Sequence, residues 1–170
     1  MTGKQNCGSM RIDHSTAPEG RALPYRSIVD PWSHYPQTIL RFPLPNRAID
    51  VRRELSDGDR AFLRGLFPRG RFAIVTPANP HGTELSRTEN ERRLNRFAVE
   101  LDLLHIPHLR ADGTSPDGAH VEPGFGVPLK LLAAVRLAHQ WEQIGLFWFD
   151  GVRVWIVPAD HTHEALPLPQ

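Results

Sequence analysis

Six polar side chains stand in or beside apolar stretches of this sequence, and their types are those that bind small polar molecules. They are Thr76, Asn79, Ser86, Asn90, Glu122 and Gln143. A carboxylate such as Glu122 is a candidate general acid or base. Amides and hydroxyls both donate and accept hydrogen bonds, so they can orient a substrate or tie segments of the fold together. The set predicts either a ligand site or a hydrogen-bonded cluster that stabilises the protein.

The stretch "RFAIVTPANPHGTELSRTEN", residues 71–90, concentrates special turn chemistry between a strand and a helix. Two prolines restrict the turn, and Asn79 precedes one of them, which favours an extended backbone and local side-chain hydrogen bonds. The helix that follows points free amide groups back toward this loop, a favourable arrangement for an anion or a polar ligand. The alternative is a well-built connection without a ligand.

The remaining candidates also leave two interpretations open. Asn90 falls on the apolar face of the helix with Leu94, so its buried amide needs partners, either in the neighbouring turn or on a ligand. Glu122, in "HVEPGFGV", is a candidate general base, metal ligand or partner for an arginine. Gln143 lies between a helix and a buried strand, where a glutamine more often bridges than catalyses.

No motif indicates a metal or a cofactor. The run His161-Thr162-His163-Glu164 lies after the last predicted strand and lacks a fourth ligand, and a His120/Glu122 pair would need ligands from elsewhere. There is no phosphate-binding glycine loop with a lysine and no G-x-S-x-G motif. We therefore predict no metal and assign no cofactor.

Composition excludes several classes of protein. The 170 residues carry a net charge of +1, with 40% hydrophobic and 23% charged residues, so no strong field attracts nucleic acid or membrane. The arginines of the helix after Ser86 alternate with glutamates, which is typical of a solvated face, and nucleic-acid binding is not predicted. Cys7 is the single cysteine, and no apolar run approaches the ~20 residues of a spanning helix. We expect a cytoplasmic protein, and nothing in the sequence predicts its oligomeric state.

Secondary-structure signals come first from the N-terminal half. Residues 38–44 predict an extended segment, either an edge piece of a sheet or a strap across the fold, because prolines interrupt it. Ser56 predicts the cap of a short helix, and residues 72–76 are apolar on both faces, as in a central strand. Ser86 with Glu89 matches a capping box for a long helix. Its predicted buried residues are Leu94, Phe97, Ala98, Leu101 and Leu104.

The second half predicts strands near residues 106–110 and 120–127. Pro128 is a candidate first residue of a third helix, and Asp150-Gly151 indicates a hairpin between the last two strands. The element order predicts an α+β fold, with a mixed sheet of about five strands and helices mainly on one face. The step across residues 72–110 would be parallel. We expect a flexible arm at residues 1–36, anchored by Trp32 and Tyr35, a single domain at 37–158 and a loose tail at 159–170.

The segments "FAIVTPANP", "SRTENERRLN", "EPGFGV" and "EQIGLFWF" resemble a bacterial family known as domain of unknown function 3293, over about residues 70–157. Its motifs are matched by Thr76, Asn79, Pro80, Glu89, Asn90, Glu122 and Gln143. Pro77-Ala78 departs from the family's Ala-Trp; if that tryptophan stacks on a ligand in relatives, this chain lacks the stacking surface. The resemblance implies a shared fold and polar cluster, and it supplies no activity.

Two functions follow from these observations. The first is a module that binds a small polar ligand or a protein partner, with the polar cluster at a sheet edge. The second is an enzyme acting on a polar or nucleotide-like substrate, with Glu122 as acid or base. An open environment for Glu122 beside Asn79, without an arginine partner, would favour the enzyme.

Overall fold

The computed structural model of the protein describes residues 30–160 and 163–170. The arm that we predicted over residues 1–36 therefore lies largely outside the described residues, as do Cys7, His161 and Thr162. Trp32 and Tyr35, predicted to anchor the end of this arm, belong to a 3-10 helix. Trp32 is buried, and the Tyr35 hydroxyl donates a hydrogen bond to the Gly145 carbonyl at 3.2 Å. This part of the prediction is confirmed.

Three α-helices, two 3-10 helices and ten strands make up the described residues. The helices are α1 (Asp57–Gly65), α2 (Arg87–Leu103) and α3 (Leu131–Gln140), with 3-10 helices at Pro31–Gln37 and Pro80–Gly82. The strands are β1 (Ile39–Phe42), β2 (Arg47–Asp50), β3 (Phe72–Val75), β4 (Leu109–Arg110), β5 (Asp112–Thr114), β6 (Val121–Glu122), β7 (Phe125–Val127), β8 (Gly145–Phe149), β9 (Val154–Pro158) and β10 (Leu166–Leu168). Within these residues no helix is both long enough and apolar enough for a membrane crossing.

The strands form two sheets, with orders β2-β1-β5-β6 and β10-β9-β8-β3-β7-β4. The α+β class is confirmed, but there are more strands than the five expected, and all the pairings are antiparallel rather than mixed. β3 and β4 run in the same direction, but β7 lies between them and pairs with both. The strand-helix-strand step across residues 72–110 therefore contains no parallel pair. β1 is also not an edge piece, because both its neighbours pair with it before Pro43 ends the strand.

The six-stranded sheet is the middle layer of the fold. Alternate residues of β3 point to opposite faces, as expected for a strand. Phe72 and Ile74 join a core shared with the four-stranded sheet and α1, while Ala73 and Val75 join a core shared with α2 and α3. The two longer helices thus pack on one face, as predicted, and the smaller sheet covers the other.

The caps of the helices follow the sequence in part. The Ser56 hydroxyl accepts from the Asp59 amide in a complete capping box at α1, whereas at α2 Ser86 accepts from the Glu89 amide without the reciprocal bond. Pro128 was wrong as the start of α3, which begins three residues later. Leu104 was wrong as a buried residue: it follows the last helical residue and is 56% exposed.

The segment that we predicted as one strand, residues 120–127, is two strands in different sheets. The chain crosses from β6 to β7 at Pro123-Gly124. A Cβ on Gly124 would lie 2.7 Å from the Val75 carbonyl oxygen, so only glycine allows this close approach. The crossing leaves Glu122 on the edge strand of the smaller sheet and beside the end of β3.

The C-terminal residues 159–170, expected to be a loose tail, contain β10, which pairs with β9. The His163 ring stacks on Trp32 with centroids 4.5 Å apart, and Leu168 is buried. Proline at alternate positions does not prevent this pairing, because β10 is an edge strand and needs donors on one side only.

Candidate functional site

A cavity of about 530 Å³ opens between the two sheets, a volume within the usual range of small-molecule sites. Its walls come from the first 3-10 helix, the loop that follows β3, the β5–β6 hairpin and the start of β8. Three of the six predicted site residues line it, namely Asn79, Glu122 and Gln143. The cavity therefore lies where strand ends from both sheets meet.

Asn79 and Asn90 hold each other in a reciprocal pair. Asn90 Oδ1 accepts from the Asn79 amide at 3.0 Å, and Asn90 Nδ2 donates to Asn79 Oδ1 at 2.9 Å. Asn79 Oδ1 also accepts from the Leu85 amide at 3.0 Å. Asn79 has φ 49° and ψ 61°, a left-handed conformation that asparagine tolerates better than most residues. The pair closes the loop between β3 and α2.

This pair also sets the orientation of the Asn79 side chain toward Glu122. Because Asn79 Oδ1 accepts two hydrogen bonds from nitrogen donors, its Nδ2 must face the other way. Nδ2 donates to Glu122 Oε1 at 3.1 Å. Asn90 is thus a positioning residue for the contact between Asn79 and the carboxylate.

Glu122 has one oxygen engaged and one open. Its Oε1 also lies 3.3 Å from His120 Nε2. Oε2 accepts no hydrogen bond from the described residues, and the side chain is 30% exposed. The arginine partner considered from the sequence is not found within the described part of the chain. Glu122 lies instead in the cavity wall beside Asn79.

Gln143 is 4% exposed and ties the loop after β3 to the end of α3. Its Nε2 donates to the carbonyl of Ala78 at 2.9 Å and to that of Trp141 at 3.1 Å. The bridging role expected from the sequence is therefore present. Ala78, which stands where the family resemblance expects tryptophan, is buried and does not line the cavity.

Thr76 and Ser86 serve the fold's own hydrogen bonds. The Thr76 hydroxyl donates to the Pro123 carbonyl at 2.8 Å and accepts from the Ala78 amide at 3.1 Å, which joins the end of β3 to the crossing after Glu122. Ser86 accepts from the Glu89 amide at the start of α2. Neither residue lines the cavity, and neither does Asn90. Five of the six side chains meet in one region, and Ser86 is the exception.

Electrostatic interactions link four residues of the cavity wall. The hydrogen bond with Glu122 raises the pKa of His120, and the charge of Glu84 raises it further, although burial opposes both. Burial raises the pKa of Tyr35, and the negative charge of Glu122 adds to this shift. Protonated His120 is thus favoured beside the Glu122 carboxylate, and Tyr35 stays a neutral phenol.

Several lining residues were missed as ligand contacts from the sequence. His34 and Tyr35 come from the first 3-10 helix, Glu84 from the loop after β3 and Asp117 from the turn between β5 and β6. These residues lie in irregular segments far apart in the chain, so no periodicity or motif indicates that they share a wall. The spacing of His120 and Glu122 on one strand face was the one available signal.

Metal binding finds no support in the described residues, since no group of three or more His, Cys, Asp or Glu side chains could hold an ion there. His120 with Glu122 remains a pair without a third ligand. The His-rich run at residues 161–164 lies partly outside the described residues. His163 Nε2 lies 3.1 Å from Asp30 Oδ2.

The arrangement can accept hydrogen bonds and exchange a proton. Three carboxylates, Glu84, Asp117 and Glu122, line the cavity with two histidines, and no lysine or arginine is among the described lining residues. The four arginines on α2 make other contacts: Arg87 and Arg92 contact glutamates of their own helix, Arg93 contacts Glu142, and the Arg96 guanidinium lies 5.9 Å from the centre of the Trp141 ring.

Comparison with known proteins bears on this same region. No curated protein and no solved structure matches the chain. Residues 75–146, from the end of β3 to the start of β8, match the family model described as "Protein of unknown function (DUF3293)". This span contains Thr76, Asn79, Ser86, Asn90, Glu122 and Gln143. The resemblance noted in the sequence is confirmed over these residues, whose family has no known function.

Proposed function

We propose that the cavity between the two sheets binds a small polar molecule, and that Glu122 is its central contact. The observation that carries the proposal is the state of the carboxylate. One oxygen is held by Asn79 and His120, the other accepts nothing from the described residues, and Glu122 lines a cavity of ligand size. A carboxylate oriented on one side and open on the other is prepared to receive a donor group.

The hydrogen bonds behind the wall support the same proposal. The pair formed by Asn79 and Asn90 orients the Asn79 amide toward Glu122, and Gln143 holds the neighbouring loop. A polar contact is specific only when such supporting bonds restrict it. A purely structural cluster would not require that its carboxylate line a cavity.

A role in binding another protein has less support. The exposed large apolar side chains are distributed over the β1–β2 turn, α2, β6, α3 and the β8–β9 loop. Docking surfaces are usually contiguous apolar patches. The polar side chains of the cavity lie together in one place, whereas these apolar side chains are scattered.

A ligand screen tests the proposal on the full chain. Thermal unfolding would be followed with a library of polar metabolites, and a true ligand at about 100 times its Kd should raise Tm by roughly 5–10 °C. The shift should be lost in Glu122→Gln and in Asn79→Ala. Asn95→Ala removes the same amide from an exposed position on α2 and should keep the full shift. A ligand whose shift survives in Glu122→Gln would bind elsewhere and contradict the proposal.

The second candidate is an enzyme with Glu122 as general acid or base. It is favoured by the contact with His120 at 3.3 Å, which raises the histidine's pKa and allows a proton to be shared near neutral pH. The absence of lysine and arginine from the described lining favours a polar substrate without a phosphate group over a nucleotide. Turnover should stay absent in Glu122→Gln even at ligand concentrations high enough to overcome its weakened binding; equal rates in both proteins would exclude this role.

A further inference from the structure

We propose that the ligand of this cavity carries a positively charged nitrogen donor, such as a protonated amine or an amidinium group, on a small apolar body. This inference rests on the proposed function and specifies the chemistry of the ligand. Three features of the wall support it: an acceptor oxygen without a partner, an excess of negative charge and two aromatic rings.

The unpartnered oxygen is Gln143 Oε1. Two backbone carbonyls accept hydrogen bonds from Gln143 Nε2, so the nitrogen must face them and the oxygen must face away. No described residue donates to Oε1. No side-chain oxygen or nitrogen of the described residues is both fully buried and without a partner, so Oε1 keeps some exposed surface, and Gln143 lines the cavity. An acceptor of this kind, on a side chain that is otherwise buried, calls for a donor on the ligand.

The charges of the wall select the sign of that donor. Glu84, Asp117 and Glu122 are carboxylates, and the described lining contains no lysine or arginine. The guanidinium of Arg41 lies behind the wall, where its Nε donates to the Thr114 hydroxyl at 3.2 Å. The three carboxylates attract a cation, and protonated His120 compensates only one of them, Glu122, so an anion would still meet an excess of negative charge.

The aromatic part of the wall suits the rest of such a ligand. The rings of Tyr35 and Phe147 both line the cavity, with centroids 5.4 Å apart. Aromatic faces attract organic cations and also bury an apolar body. Because Tyr35 donates its hydroxyl hydrogen to the Gly145 carbonyl, this hydroxyl has no hydrogen left to donate to an anion.

Three probes of one shape test the class of ligand. Benzamidine is cationic, benzamide is neutral and benzoate is anionic, while their size and ring are the same. Binding would be followed by ¹⁵N NMR of the full chain, with each probe at up to about 10 mM, a range that covers fragment affinities. We expect benzamidine to shift the resonances of cavity residues and to bind at least about tenfold more tightly than the other two.

The outcomes separate this inference from the proposed function. If benzamide or benzoate binds in the cavity as tightly as benzamidine, the cationic class is wrong and a polar-ligand site still stands. If none of the probes moves a cavity resonance but the metabolite screen finds a ligand there, the inference alone fails. If both experiments are negative, both proposals fail.

Two variants assign the effect to the carboxylates. Glu122→Gln keeps the shape of the side chain and removes its charge, and it should weaken benzamidine binding about 10- to 100-fold. Glu91→Gln removes a charge from the exposed face of α2 and should change nothing. If Glu122→Gln does not fold, Glu84→Gln replaces an exposed side chain with no hydrogen bond to lose and should still weaken benzamidine several-fold. Unchanged affinity in the folded variants would overturn the inference.

Discussion

Replacing Asn79 with alanine is the sharpest test of how the site is built. Asn79 makes three side-chain hydrogen bonds, to the Leu85 amide, to Asn90 Nδ2 and to Glu122 Oε1, with donor–acceptor distances of 2.9–3.1 Å. Its left-handed backbone is a further reason for asparagine at this position. The Asn79→Ala variant loses all three bonds and keeps the unfavourable backbone conformation.

The expected loss of stability can be worked from these contacts. A partly buried hydrogen bond contributes about 1 kcal/mol, so three of them contribute about 3 kcal/mol. A residue with a Cβ but no polar side chain adds a cost of about 1 kcal/mol in the left-handed region. The free energy of unfolding should therefore fall by about 4 kcal/mol, a large part of the stability of an ordinary domain.

Urea denaturation measures this loss, and Asn95→Ala is the matched control. Asn95 is exposed on α2 and makes no hydrogen bond among the described residues, so its replacement should change the free energy of unfolding by less than about 0.5 kcal/mol. Asn90→Ala should be strongly non-additive with Asn79→Ala, because the two residues share a reciprocal pair. A loss below about 1 kcal/mol in Asn79→Ala, or simple additivity, would refute the network.

The other predictions concern the chain crossing and the carboxylate. Gly124→Ala should lower the free energy of unfolding in urea by about 2 kcal/mol or more, because its Cβ would lie 2.7 Å from a β3 carbonyl oxygen. The control Gly65→Ala adds a Cβ that meets nothing within 4 Å and should not destabilise the protein. Equal effects of the two substitutions would contradict the close packing at Gly124. An NMR titration should show a raised pKa for His120 that falls in Glu122→Gln, and an unchanged value would mean that the two side chains do not touch in solution. Since the folded pKa is raised, the contribution of His120 to stability is complete below about pH 6.5 and is lost as the pH rises through the folded pKa. Asn79→Asp keeps the acceptor oxygen but places a second carboxylate against Glu122. Its loss of unfolding free energy, measured in urea, should be largest near neutral pH and should shrink toward about pH 4, where one of the two carboxylates is protonated. A loss that grows on acidification would show that the two groups are not adjacent.

Local signals in the sequence were reliable wherever a few neighbouring residues control the structure. Ser56 and Ser86 start helices as predicted, because a cap depends on the next three residues only. The strand at residues 72–75 is central, as its apolar character on both faces predicted. The predicted start of α3 at Pro128 and the predicted burial of Leu104 were wrong, since the chain there follows tertiary packing rather than helix propensity.

The sequence named part of the cavity wall but not its geometry. The sequence named Asn79, Glu122 and Gln143, which line the cavity, together with Thr76 and Asn90, which support it. It did not reveal that His34, Tyr35 and Glu84 complete the wall, because those residues belong to irregular segments. Roles in binding or catalysis remain proposals for all of them.

The sequence by itself determined the α+β class, the ends of several elements and the set of polar side chains that need partners, because each of these depends on the types and spacing of nearby residues. Only the tertiary structure decided which strands are neighbours and which side of each amide faces the cavity. The crossing at Gly124 brings Glu122 beside Asn79, 43 residues earlier in the chain. Such contacts are set by the packing of two sheets against each other, and no local pattern encodes the distance between residues so far apart.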